Sequence, residues 1–258
     1  MPVPLHEGKY ESDPVLSAEL EAAYARERGH GVDDVPASMV VCFSGSLLAH
    51  LVEKHPSRQL RSSFYGGSIH RLTDPDPGVG VVGGFGIGAP ATAMAVESLA
   101  YRGVESFTLR GYAGVLDPDV DSTDVLVATE ALRDEGTSYH YLPATRSIGP
   151  PGDLTDRLAD RLDDGERSVR TGPTWTTDAP FRETRVEVER YAAEGVLTVE
   201  MEAAAGVAVA DHCGVEAAAA FVPSDYLGPD TWEPKFHEVE EYLLDLGDRV
   251  VRGLAARE

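Results

Sequence analysis

The chain has 258 residues, 42% of them hydrophobic, and sets 44 acidic side chains against 22 basic ones, for a formal net charge of -22. That length is enough to bury a full core in one large domain. Such a charge excludes nucleic acid and anionic membranes as partners.

The acids are spread along the chain, as in Asp33-Asp34, Asp117/Asp119/Asp121 and Asp163-Asp164, and each pair reads as solvated surface. Only Lys9, Lys54 and Lys235 are lysines; the other 19 basic residues are arginines. Together they read as a surface adapted to high salt, where screening relieves self-repulsion, so loss of structure on desalting is expected. Cys42 and Cys213 form no CxxC, which favours reduced thiols in a cytoplasmic protein. The start, Met1–Glu7, lacks the apolar run of a signal peptide, and no apolar stretch reaches the roughly 18 residues of a membrane helix.

Residues 1–37 are polar and rich in proline and charge, with a helical patch near 18–28. Residues 39–43 form a short apolar run, read as a buried strand; Ser44-Gly45-Ser46 follows, then a helix through 50–54. Residues 78–83 alternate glycine with valine and read as a core strand. Pro90 suits the first turn of a helix and Gly103 its end. Strands follow at 107–109 and 125–128. Leu154, Leu158 and Leu162 recur at four-residue spacing, which predicts an amphipathic helix stopped by Asp163-Asp164-Gly165. Met201, Ala204, Ala205, Ala208 and Val209 predict another, ended by Gly214. Residues 217–222 are an apolar strand, and Phe236, Val239, Leu243, Leu246 and Val250 mark one face of a C-terminal helix. The alternation implies an α/β fold: a mixed, mainly parallel sheet flanked by helices in three layers, as one domain over 1–258, with sites at the carboxyl ends of strands.

Several clusters could carry chemistry. Gly84-x-Gly86-x-x-Ala89 has the spacing of a dinucleotide fingerprint, with Glu105 downstream, but Glu105 precedes the next strand instead of ending it. The cluster reads as a glycine turn that lets an anion or sugar approach backbone N–H groups at a helix start, or as a tight turn alone. Arg110, beside the small residues Gly111, Ala113 and Gly114, could grip phosphate bidentately or pair with a surface acid. Residues 133–143 read as a polar loop in which His140 could be a general base or a metal ligand, but no second ligand has suitable spacing and a satisfied histidine is the favoured reading. Trp175, in a threonine-rich loop, offers a face for stacking a base or a core anchor. Glu200 and Glu202 open a helix, where one could bond sugar hydroxyls and the other cap the backbone. Asp225 ends a buried strand, a setting for general-acid work.

The Gly84–Pro90 turn, the Leu132–Pro143 segment, the Glu200-Met201-Glu202-Ala203-Ala204-Ala205 helix start and Ser224-Asp225 together resemble the nucleoside phosphorylase family, particularly its hexameric, uridine-phosphorylase-like branch. The likeness is strongest between residues 83 and 225. It implies attack of phosphate on the anomeric carbon of a ribonucleoside, giving free base and ribose 1-phosphate, with inorganic phosphate as cosubstrate and no cofactor or metal. By the same resemblance Met201 and Glu200 sit at the ribose, Glu202 accepts from its 2′ and 3′ hydroxyls, Gly114 flanks it, and Asp225 protonates a leaving purine. Trp175 and Arg185 would face the base, and His6 would reach the 5′ hydroxyl of a neighbouring subunit. Phosphate would lie among Gly45, Arg61, Gly86, Arg110 and Tyr112. Homo-oligomers built from dimers, commonly hexamers, are implied, with residues 1–37 adding subunit contacts. The chain departs from the pattern where the family's early arginine-bearing loop reads Phe43-Ser44-Gly45-Ser46-Leu47, and where a gapless match puts Leu109 in the place of an arginine. Overall wording favours uridine; Asp225 and Trp175 favour a purine. A hydrolytic nucleosidase and a non-catalytic nucleoside-binding protein are the alternatives.

Overall fold

Continuous apolar runs force the central strands to be buried on both faces, and their side chains divide by parity. The computed structural model describes residues 6, 8–32, 34–60, 65, 67–74, 78–163, 165 and 167–255. The strands are β1 (Ser38–Cys42), β2 (Ser57–Gln59), β3 (Ser68–Leu72), β4 (Val79–Gly83), β5 (Ser106–Val115), β6 (Val125–Asp134), β7 (Ser147–Ile148), β8 (Val169–Thr177), β9 (Thr198–Glu200), β10 (Glu216–Gly228) and β11 (Thr231–Pro234). The helices are α1 (Ala18–Glu27), α2 (Gly45–Lys54), α3 (Ala89–Tyr101), α4 (Leu154–Leu162), α5 (Arg185–Ala193), α6 (Ala203–Cys213) and α7 (Glu240–Ala255).

All the strands belong to one mixed sheet, in which β10-β6-β8-β9-β5 follow one another and β10 also pairs β5, so these five close into a ring. From β5 the sheet runs on through β1, β4, β3 and β2. The pairings of β1 with β4 and β5, of β5 with β10, and of β8 with β6 and β9 are parallel. On β1, Met39 and Val41 join one core, while Val40 and Cys42 join the other. On β10, Ala217, Ala219 and Phe221 alternate in the same way with Ala218, Ala220 and Val222. The first core lies under α3 and α6, with α1 against α3; the second lies under α2, α4 and α7. This is the expected three-layer arrangement.

Differences from the sequence reading lie where polar residues occupy strands. The threonine-rich stretch around Trp175 is the end of β8, paired on both sides, because buried hydroxyls there find partners: Thr198 Oγ1 bonds Thr174 Oγ1 at 2.9 Å, and Thr176 Oγ1 reaches Glu200. Arg133 and Asp134 likewise end β6 instead of opening a loop. Phe236 precedes α7 and turns toward the site described next, so it is no part of that helix's apolar face.

Candidate active site

Because β1, β5 and β10 run parallel, their carboxyl ends open on the same edge of the sheet, where ligands of such folds collect. A cleft of about 630 Å³ lies there. Its floor is Gly111 to Gly114 of β5, its walls are Val199 to Glu202 and Ser224, Asp225 and Leu227 of β10, and its mouth carries Ile87, Phe181 and Trp232.

Glu200 is buried and caps α6. Its Oε2 accepts the backbone N–H groups of Glu202 and Ala203, both at 2.7 Å, and its Oε1 accepts from Thr176. Burial pushes its carboxyl up, neighbouring Glu202 adds to this, and the bonds to Thr176, Glu202 and Ala203 pull back, leaving it at about 8. Of the two roles open to this pair, capping thus falls to Glu200.

Glu202, two residues on at the N-cap of α6, also lines the cleft. Gly88 donates its N–H to Glu202 Oε1 at 2.6 Å, with Gly88 at φ 89°, a conformation suited to glycine. The turn before α3 therefore fixes the carboxylate instead of offering an open anion cradle. Burial raises the Glu202 carboxyl despite that bond. The backbone N–H of Met201 also holds the carboxylate, which lines the cleft beside Met201 and Gly114.

Asp225 does not end its strand. β10 runs on to Gly228, and a bulge at Ser224 resets the register, pairing Pro223 with Ala113 and Asp225 with Gly114. Ser224 Oγ donates to Asp225 Oδ1 at 2.6 Å and Trp232 Nε1 to Oδ2 at 2.8 Å. A Cβ on Gly114 would stand 3.1 Å from Val199 Cγ1 and 3.3 Å from Asp225 Oδ2, so glycine is what leaves room for the carboxylate. Glu183, from the turn after β8, completes the acidic lining; burial pushes its carboxyl up to about 7, with Asp225 and Glu187 adding repulsion.

Six sequence-predicted residues meet here: Asp225, Glu202, Met201, Glu200, Gly114 and Tyr112. The others lie elsewhere. Trp175 is 1% exposed, donates from Nε1 to Asp134 at 3.0 Å and packs edge-on against Tyr191; it is a core anchor and cannot stack a base. Arg110 is fully buried on the opposite parity from Leu109, with Nη1 bonded to the carbonyl of Leu109 at 2.7 Å. Strand alternation turns it toward the second core, so it is not among the residues lining the cleft, and burial pulls its guanidinium down to about 9. Arg185 is exposed and paired with Asp230. Gly45 starts α2, and neither it nor Gly86 lines the cleft, although Ile87 does. His6 borders a second cavity of about 790 Å³, with His140, Tyr141 and His212, near α3. Arg61 lies outside the described residues.

No arginine, lysine or histidine stands among the described residues lining the cleft. At its β1 end stand Phe43, Tyr112 and Phe236, the last two edge to face at 6.0 Å. The segment 133–143 is held by Arg133, which bonds Ser138 Oγ at 2.8 Å and the carbonyl of Pro143 at 2.7 Å, so its role is structural. Sequence reasoning missed Phe43, Ile87, Phe181, Glu183, Trp232 and Phe236. The usable signal was weak: large apolar residues, exposed as Phe181 and Trp232 are, flanking acids in short connecting segments.

The family model of the phosphorylase superfamily matches residues 38–253. A guanosine phosphorylase of Halorubrum lacusprofundi is 36% identical over 134 residues, 52% of this chain and 56% of that protein. The uridine phosphorylase of Escherichia coli is 29% identical over 46% of this chain and 53% of its own length. A DeoD-type purine nucleoside phosphorylase of Bacillus cereus is 30% identical over 64% and 73%. The chain thus spans about half the length of the first two of these curated relatives. In structure it is similar to a uridine phosphorylase of Vibrio fischeri, with a TM-score of 0.73 at 18% identity, over 87% of this chain and 93% of that one.

Proposed function

The chain belongs to the phosphorylase superfamily, and we propose that it is a nucleoside phosphorylase, a pentosyltransferase that converts a ribonucleoside and phosphate to free base and ribose 1-phosphate. The observation that carries this reading is the meeting of Met201, Glu202 and Asp225 across one cleft at the strand ends. Glu202 accepts from the ribose hydroxyls while Met201 packs the sugar. As the bond from C1′ to the base nitrogen breaks, its electron pair leaves with the base, and Asp225 supplies a proton to a purine. A phosphate oxygen bonds C1′, and the sugar passes through an oxocarbenium-like state that nearby carboxylates stabilise.

A second reading, hydrolysis with water in place of phosphate, is favoured by the absence of a cation among the described lining residues and by the inward turn of Arg110. Incubation of nucleoside in molar salt with and without phosphate decides between them. Release of base only with phosphate, with ribose 1-phosphate formed, supports the first; release at the same rate without phosphate, with free ribose, replaces it by the second.

The oligomer belongs to the same proposal. Val15, Leu16, Leu20 and Tyr24 in and before α1, with Met94 and Tyr101 of α3, are exposed apolar residues, of which Leu16 and Met94 line the His6 cavity, and they suit a subunit contact. His6 would then serve a neighbouring copy's cleft. Among the described residues no helix is long and apolar enough to cross a membrane, and a cytoplasmic place fits the two free cysteines. The net charge of -22 supports salt adaptation. The melting temperature is expected to rise between low and molar salt; a flat curve counts against it.

A further inference from the structure

Asp225 is held by two donors of different kinds. Ser224, its neighbour in β10, donates from Oγ to Oδ1 at 2.6 Å, and Trp232 of β11 donates from Nε1 to Oδ2 at 2.8 Å. Trp232 is 59% exposed on an edge strand, so burial does not account for a tryptophan there. Its reach is set by the ladder between β10 and β11. Asp225 pairs with Pro234 and Leu227 with Trp232, which puts Trp232 diagonally across from Asp225 on the face that lines the cleft. Diagonal neighbours stand about 7–8 Å apart, a gap that an indole spans and a short side chain does not. The hairpin is tied at both ends. At its base Lys235 donates its N–H to the carbonyl of Ser224 at 2.7 Å, and at its tip Asp230 pairs with Arg185 of α5.

We propose that Trp232 is a positioning residue that fixes Asp225 Oδ2 as an acceptor and so makes Oδ1 the oxygen carrying the proton that is delivered to the leaving base. The proposal rests on the reading of the cleft as a nucleoside site with Asp225 as its acid, and it is independent of whether phosphate or water is the acceptor. An indole N–H is a donor only, so Oδ2 cannot carry a hydrogen of its own toward Trp232 while that bond stands. The Ser224 hydroxyl can donate or accept, so Oδ1 can hold a hydrogen beside it. When the bond from C1′ to a purine breaks, its electron pair passes into the ring. The O–H bond at Oδ1 breaks in turn, and the proton joins a ring nitrogen. The carboxylate that remains accepts from Trp232 at Oδ2 and from Ser224 at Oδ1, so the charge formed in the step meets donors already in place. Trp232 acts on the proton only through Asp225, so its removal matters in proportion to the leaving group's need for that proton.

The test compares guanosine with 7-methylguanosine, whose base already carries a positive charge and leaves without being protonated, and includes uridine as a pyrimidine control. Base release is measured in molar salt with phosphate for wild type, Trp232→Phe, Asp225→Asn and the double variant. Trp232→Phe keeps a ring at the mouth and loses the donor. It is expected to lower kcat/KM for guanosine about tenfold more than for 7-methylguanosine, the worth of one hydrogen bond to a charged group, with the loss in kcat and not in KM. Asp225→Asn is expected to show the same difference, larger, and adding Trp232→Phe to it is expected to leave that difference unchanged. Equal losses on both nucleosides, or a loss confined to KM, overturn the proposal, because Trp232 would then only wall the cleft. A wild type that cleaves uridine and neither purine nucleoside also overturns it alone, since no purine takes the proton. A wild type that cleaves none of the three overturns the reading of the cleft and the proposal with it. Thermal melts of the variants are expected within a few degrees of wild type, as suits an exposed side chain.

Discussion

Two carboxylates of this chain are treated in opposite ways. Asp248 of α7 is buried between α7 and α2 and meets Lys54 Nζ at 2.5 Å, His50 Nε2 at 2.9 Å and His55 Nε2 at 3.0 Å. Burial pushes its carboxyl up, and the bonds from Lys54, His50 and His55 outweigh that, leaving it below the usual carboxylate range. In the cleft, Glu183, Glu200, Glu202 and Asp225 share one lining in which no described residue is cationic. Burial and mutual repulsion hold Glu183 and Glu200 above the usual range. A chain with twice as many acids as bases still places Lys54 and two histidines on Asp248, and none of its described cations lines the cleft. Serine, threonine, tryptophan and backbone N–H groups orient Glu200, Glu202 and Asp225 without neutralising them. A group oriented in this way can still take or give a proton and can still accept from a sugar or a base.

The comparison breaks most visibly at Glu202. Glu202→Ala is expected to lower kcat/KM by about 10²–10³-fold, about 3–4 kcal/mol of transition-state binding, because the ribose hydroxyls and Gly88 N–H lose their acceptor. Steady-state kinetics on guanosine and uridine measure it, and a loss below fivefold would place the sugar elsewhere. Asp248→Ala should do the reverse. Removing one partner from a buried charge cluster costs about 3 kcal/mol of stability, read from denaturant unfolding in molar salt, while kcat/KM per folded molecule stays within twofold. Parallel loss of activity would mean that the two regions are coupled.

A smaller effect separates the two regions by pH. Glu200, raised to about 8, holds in the fold a proton that the unfolded chain releases near 4.5. The native state therefore binds more protons in that window, and the Glu200 contribution to stability falls as pH rises from about 4.5 to about 8. Asp248 has the opposite sign: its contribution is present above the ordinary carboxylate value and is lost as pH falls through its lowered value. Glu200→Gln is expected to flatten the decline on the alkaline side by about 1 kcal/mol, measured as unfolding free energy against pH; an unchanged slope would show that Glu200 is ionised throughout.

The parts of the molecule legible in the sequence are those built by periodicity and by helix starts. The apolar runs of β1, β4 and β10 gave the parallel centre of the sheet, and the leucines of α4 gave one helix of its outer layer. The helix start at Glu202 and the acid at Asp225 stood out because each follows closely on an apolar run, although Asp225 proves to lie within β10 and not at its end. What stayed hidden depended on parity and on distant pairing. Nothing local to Arg110 shows that its side chain turns into the core while Gly111 faces the cleft. Trp175 sits among threonines that mimic a loop until their hydroxyls are seen to bond across β8 and β9. Glu183, Trp232 and Phe236 lie in short connections without a pattern, and only the fold brings them to Asp225. Trp175→Phe tests the smallest effect: it should cost about 1 kcal/mol in unfolding free energy, for the lost bond to Asp134, and leave the preference among bases within twofold.

The most direct measurement sets Asp225→Asn beside Asp248→Asn in one phosphorolysis assay and one thermal melt, with guanosine as substrate in molar salt. The account predicts that Asp225→Asn loses about 10³-fold in kcat/KM while melting within a few degrees of wild type, and that Asp248→Asn melts early while turning over normally below its transition. Full turnover by Asp225→Asn would contradict the assignment of the cleft.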